Sequence, residues 1–139
     1  MLLLDTHALL WLVRGEFRTQ AAQDAVEAAQ DAGALYASAI TAWELGVAEL
    51  KRTGRPELGM APGAWFRQAL RTTGARLVTI TPAIAAEAAS VPATYGRGDP
   101  GDCFLIATAR VRRLSLVTRD GPILQLAAVR PSYVQVVEC

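Results

Sequence analysis

Basic residues other than arginine are almost missing from this chain. Lys51 is its one lysine and His7 its one histidine, which leaves no histidine cluster for a metal. The lone lysine falls late in a helical stretch, a poor place for the cooperating cation that a phosphoacceptor signalling domain needs. Net charge is missing too. With 14 Lys and Arg against 13 Asp and Glu the balance is +1, so no global basic field marks a nucleic-acid binder and phosphate recognition must be local. Cysteine is scarce: Cys103 and Cys139 have no CxxC spacing, which argues against a zinc framework and for a reduced, cytoplasmic chain. No run suits a membrane span or a secretion signal. The opening MLLLDTHALLWLV lacks a basic start, is interrupted by Asp5 and His7, and is ended by Arg14. Low-complexity stretches and internal repeats are absent as well.

What is present is apolar bulk in alternating segments. At 139 residues and 52% hydrophobic content, residues 1–139 suit a single domain with a substantial core. Leu2–Leu4 read as a buried strand, and Thr6–Arg14 as a helix with Leu9, Leu10 and Val13 inward. A second helix over 19–32 stops at Gly33, a favoured left-handed cap. Leu35–Ser38 form a strand, Thr41 opens a helix over 41–52, and Pro62–Thr73 make another. A third strand over 76–80 leads into Thr81 and Pro82, which start a helix over 82–90. Residues 92–101 hold Pro92, Gly96, Gly98, Pro100 and Gly101, so they predict the longest loop and the rim of a site. Asp102 begins a helix over 102–112, a fourth strand spans 114–118, a short helix follows Pro122, and a last strand covers 134–137. Strands separated by helices imply an α/β fold: a mainly parallel sheet of four to five strands with helices on both faces.

Asp5, Glu44, Asp102 and Asp120 each sit where an apolar strand-like run ends or a helix begins. In a parallel sheet those places converge on one edge. At about 5 Å and an effective dielectric of roughly 20, each like-charged pair repels by about 3 kcal/mol, and a divalent cation is the simplest compensation. Hard carboxylate oxygens suit Mg²⁺, with Mn²⁺ as a substitute. Each acid also has a plain structural reading. Thr41 and Glu44 have the spacing of a capping box, Asp102 is a favourable charge at a helix start, Asp120 precedes Gly121-Pro122 in a turn, and Asp5 is a helix cap. Their shared position at one edge favours a shared site. Asp99, three residues before Asp102, reads either as a fifth carboxylate of that pocket or as a loop-bracing acceptor. His7 reads as a packing residue.

Four blocks, LLLDTHALLWL, SAITAWELGVAELK, GDPGDCFLIATAR and LVTRDGPI, resemble in order and spacing the motif blocks of PIN-domain ribonucleases, specifically the VapC toxins of bacterial toxin–antitoxin pairs. The resemblance covers almost the whole chain. It implies a three-layer α/β/α PIN-like fold with the family's acids at Asp5, Glu44, Asp102 and Asp120. It further implies a metal-activated water hydrolysing an RNA phosphodiester to a 5′-phosphate and a 3′-hydroxyl. Asp5, Asp102 and Asp120 are then the metal anchors, with Asp99 a further candidate and Glu44 orienting the water. Thr6 and Thr118 either steady the acids or serve only as cap and strand residues; Arg97 and Arg119 are candidates for phosphate contact. Two departures bear on substrate: relatives commonly carry a DPFDR-like segment where this chain has Asp99-Pro100-Gly101-Asp102-Cys103, and often histidine where it has Arg97. The resemblance also implies a homodimer and a VapB-type antitoxin from a neighbouring gene. That antitoxin would lay a helix over grooves near Trp11, Trp43 and Trp65 and send a basic side chain into the acidic pocket. A PIN-like module without catalysis is the competing reading, and the full set of four acids argues against it.

Overall fold

Leucines 2, 3 and 4 form strand β1 (Leu2–Leu4), and all three are buried. Strand side chains alternate between faces, so Leu2 and Leu4 enter one apolar core while Leu3 enters another. A strand buried on both faces is the pattern of a central strand in a covered parallel sheet. The computed structural model, which describes residues 1–139, shows that sheet. After β1 come helices α1 (Thr6–Arg14) and α2 (Gln20–Asp31), strand β2 (Leu35–Ser38), and helices α3 (Ala39–Glu49) and α4 (Pro62–Thr73). Then follow β3 (Arg76–Val78), α5 (Pro82–Tyr95), α6 (Pro100–Arg112), β4 (Ser115–Thr118), α7 (Gly121–Val129) and β5 (Val136–Glu138).

The strand order is β3-β2-β1-β4-β5, and every pairing is parallel. From β1 the chain builds outward through β2 and β3, then returns to the other side of β1 for β4 and β5. The reversal lies between β1 and β4, where the two strands' carboxyl ends open a crevice. Helices α1, α2 and α4 pack on one face, through Leu9, Val26, Trp65 and Phe66. Helices α5, α6 and α7 cover the other, through Ile84, Val91, Ile106 and Ile123. The architecture is the expected three layers, with five strands all parallel. No helix is long and apolar enough to cross a membrane.

Several boundaries differ from the sequence reading. Helix α5 does not stop near Ser90 but continues through Pro92 to Tyr95, so the expected long loop over 92–101 shrinks to residues 96–99. An interior proline costs about 3 kcal/mol or more; burying Val91 and Tyr95 against the same core offsets it. The longest connection instead joins α3 to α4. Helix α3 starts at Ala39, and Ser38, not Thr41, is its cap, accepting from Ile40 N at 3.2 Å. Glu44 therefore lies in the second turn, and no capping box exists. Val13 is 38% exposed rather than inward. Of the three tryptophans, Trp65 is core, Trp11 is half-buried and Trp43 is 49% exposed.

Candidate active site

Strand β1 ends at Leu4, and the next residue, Asp5, is the cap of α1. Its Oδ1 accepts from Ala8 N at 2.5 Å, its Oδ2 accepts from the Thr118 hydroxyl, and its own amide donates to Val117 O at 3.1 Å. Asp5 thus bridges β1 and β4 across the crevice. Thr118 Oγ1 also accepts from Asp120 N at 3.0 Å, so one hydroxyl joins the acid ending β1 to the acid following β4. Asp120 caps α7, accepting from Ile123 N at 3.1 Å.

Glu44 enters from α3. Thr6 donates to its Oε1 at 2.6 Å, and the buried Thr41 hydroxyl lies 3.3 Å from Thr6 Oγ1. Asp102, in the first turn of α6, accepts from the Tyr95 hydroxyl through Oδ2 at 2.8 Å. Asp99 caps the same helix and accepts from Asp102 N at 3.0 Å, a bond that braces the loop, while its charge acts on Glu44 and Asp102. Each of Asp5, Glu44 and Asp102 therefore has one side-chain hydroxyl fixing one oxygen, from Thr118, Thr6 and Tyr95 respectively.

Burial and crowding act on these acids together. Burial raises Asp5 above the ordinary aspartate range; its two hydrogen bonds and His7 oppose the rise, and Asp120 adds to it. Glu44 is pushed up to about 7, first by burial and then by Asp102, Asp99 and Asp5, against the Thr6 bond. Asp102 is pushed up to about 6 by burial, with Asp99, Asp120 and Asp5 adding and the Tyr95 bond opposing. The five acids read from sequence thus lie near enough to act on one another's protons, although they come from four separated segments.

The two arginines part company. Arg97 is exposed and lies near enough to Tyr95 to oppose the rise of its phenol. Arg119 is not a free rim cation: its Nη2 donates to the carbonyls of Glu16 and Cys139, both at 2.9 Å, and its guanidinium lies 3.5 Å over the Trp11 ring. Those partners commit it to the fold. His7 is exposed and packs on Trp11, its ring centroid 5.5 Å away. Tyr95 escaped the sequence reading, as did the place of Thr41 beside Thr6 rather than at a helix cap. The spacing Ile84, Ala88, Val91, Tyr95 continues a helical stripe past Pro92, and following it would have carried α5 to the site.

The class that fold and site define is the PIN domain, and the PIN-domain family model matches residues 2–129. The chain belongs to that family. In particular, it is 35% identical over 119 residues to Ribonuclease VapC22 of Mycobacterium tuberculosis, covering 85% of each chain. Among solved structures it resembles VapBC2 from Rickettsia felis bound to a promoter DNA fragment, with a TM-score of 0.66, 10% identity, and coverage of 99% and 98% of the two chains. It also resembles a toxin–antitoxin complex from Klebsiella pneumoniae, with a TM-score of 0.60, 23% identity, and coverage of 99% and 96%. At those identities the two structures speak for the fold alone.

PIN-domain nucleases use a divalent cation, and the donor set here fits one. Glu44 Oε2, Asp102 Oδ1 and Asp120 Oδ2 accept no protein hydrogen bond. None is sealed in, because the one buried side-chain polar atom without a partner is Arg119 Nε. No three acids converge closely enough to cage an ion by themselves. Mg²⁺ needs no cage, since it keeps several waters and is usually held by one or two carboxylates.

Proposed function

We propose that residues 1–139 form one PIN domain that acts in the cytoplasm as the toxin of a toxin–antitoxin pair, a Mg²⁺- or Mn²⁺-dependent endoribonuclease. The observation that carries this reading is that the end of β1, the second turn of α3 and the first turn of α6 bring Asp5, Glu44 and Asp102 into one neighbourhood, each held by a hydroxyl and each raised by burial and by nearby acids. The identity to a VapC ribonuclease supplies the reaction class.

Asp5, Asp102 and Asp120 would hold the cation, and Asp99, engaged at the cap of α6, would act mainly by its charge. A bound cation supplies Lewis acidity at the phosphoryl oxygens and makes water a stronger nucleophile. The chain's own part is orientation and proton handling. Asp5 is fixed by Ala8 N and Thr118, and Asp102 presents Oδ1 because Tyr95 occupies Oδ2. Glu44, raised to about 7, is matched to accept a proton from the attacking water near neutral pH. Water oxygen bonds to phosphorus as the bond from phosphorus to the 3′-oxygen breaks, and that oxygen takes a proton from solvent, giving a 5′-phosphate and a 3′-hydroxyl. Arg97 and Arg130 line a depression beside Tyr95, where an RNA phosphate can meet a guanidinium. Single-stranded or looped RNA suits such an open rim.

The partner side rests on α3. Trp43, Val47 and Leu50 are 49%, 40% and 84% exposed and form one helical stripe. Trp43 adjoins Glu44, so an antitoxin helix lying on this stripe, or a second copy of the chain, would border the acidic pocket. A basic side chain from the antitoxin would then offset the acids and block substrate. The deciding experiment is cleavage of a structured RNA by purified protein. Cleavage should require Mg²⁺ or Mn²⁺ and vanish in Asp5→Asn while circular dichroism stays unchanged. Full activity in excess chelator, or in Asp5→Asn, sinks the metal-nuclease reading. Failure of the neighbouring gene's product to bind and inhibit sinks the toxin reading alone.

A further inference from the structure

We propose that Gly101 is a positioning residue of the acidic pocket: its lack of a side chain leaves the notch in which the Glu44 carboxylate sits. Gly101 is the second residue of α6 and is buried. A Cβ on its backbone would stand 2.2 Å from Glu44 Oε2, 2.4 Å from Glu44 Cδ and 2.9 Å from Glu44 Oε1, and these are its three nearest neighbours. Side-chain carbons do not approach other atoms so closely. The backbone itself gives no reason for glycine, because Gly101 is absent from the residues with positive φ. Inside a helix alanine is the better residue on propensity. The one evident reason for glycine here is the carboxylate lying against it.

Glu44 is held against Gly101 by the 2.6 Å bond from Thr6, and Asp102 is the next residue of the same turn. The glycine thereby brings an acid from α3 onto the first turn of α6, beside Asp102. A methyl group at 101 evicts the end of a flexible side chain, not a piece of backbone. The fold should therefore survive while Glu44 loses its seat and its Thr6 partner. This inference rests on reading the pocket as a cation site, and the test separates the two.

Four proteins decide it: wild type, Gly101→Ala, Glu44→Ala, and the double variant. In chelator, alanine at 101 should lower or leave unchanged the Tm of wild type but raise that of Glu44→Ala, since helix propensity acts alone once the carboxylate is gone. Mn²⁺ binding by calorimetry should weaken by about tenfold or more in Gly101→Ala, the usual scale for losing a group that orients a metal site. An equal effect of alanine on Tm in both backgrounds overturns the proposal. So does a double variant that fails to fold where Glu44→Ala folds, or Gly101→Ala binding Mn²⁺ as wild type does. If wild type binds no Mn²⁺, the cation-site reading falls, and the thermal comparison still decides whether Glu44 occupies the notch.

Discussion

The Tyr95 hydroxyl donates to Asp102 Oδ2 at 2.8 Å, tying the last residue of α5 to the first turn of α6. Burial and Asp102 push the phenol's pKa upward, so Tyr95 stays a donor at any working pH and leaves Asp102 Oδ1 as that acid's open face. The bond spans the short 96–99 connection, so it sets the carboxylate's rotamer from outside the helix that carries it.

Tyr95→Phe keeps the ring in its core and removes only the donor. A hydrogen bond to a charged group is worth about 1.5–3 kcal/mol, so kcat/KM for RNA cleavage should fall about tenfold or more. The Tm should fall by a few degrees as well, since the folded chain loses the same bond while its packing surface is unchanged. Steady-state kinetics and a melting curve on one preparation check both halves.

Stability should fall as pH rises in the absence of metal. Asp102 goes from 3.8 to about 6 and Glu44 from 4.5 to about 7 on folding, and Asp5 is raised as well. Below about pH 4 both folded and unfolded chains hold these protons and no penalty exists. Between there and about pH 7 the folded chain binds more protons, so its advantage shrinks with rising pH. The Tm in chelator should decline from pH 5 to pH 8. Mg²⁺ should flatten that decline, since it takes the place of the protons.

Mg²⁺ should raise the Tm at pH 8, because a ligand that binds only the folded chain stabilises it by mass action. The gain should shrink in Asp102→Asn, whose charge contributes to the pocket. A wild-type melting curve unmoved by saturating Mg²⁺ would show that these acids do not share a cation.

Arg119 and Arg97 should separate cleanly. Arg119→Ala loses two bonds to carbonyls and its contact with Trp11, so it should lower stability by about 1–3 kcal/mol. Arg97→Ala should leave the Tm in place but weaken RNA binding and reduce its salt dependence. Denaturant melts and binding titrations at two salt concentrations read the two effects.

Trp43→Asp alters a half-exposed position, so the chain should still fold with a stability loss of about 1–2 kcal/mol. Association should suffer as well. Pull-down with the neighbouring gene's product and sedimentation of the isolated chain should both show weakened assembly.

Much of this molecule is legible without coordinates. The leucine strand of residues 2–4, the Thr81-Pro82 helix start and the alternation of strand-like and helical stretches lead to a parallel three-layer sheet, because local periodicity reports which faces are buried. Asp5, Glu44, Asp102 and Asp120 stand out for a similar reason: in such a sheet, strand ends share one edge. Other features depend on partners far along the chain. Thr41 has the spacing of a cap, yet Ser38 takes that place and Thr41 is buried beside Thr6. Pro92 marks a loop by its own chemistry, but core packing keeps the helix intact to Tyr95.

The sequence by itself determined the kinds of groups available and the edge where they gather, since both follow from residue type and periodic burial. Only the tertiary structure decided what each group touches. It sent Arg119 to Trp11 and two carbonyls, Tyr95 to Asp102, and Glu44 into the space beside Gly101. The physical reason is that hydrogen bonds and close contacts reach only a few ångströms, and pairs such as Glu44 and Gly101 become neighbours only when packing brings their helices together.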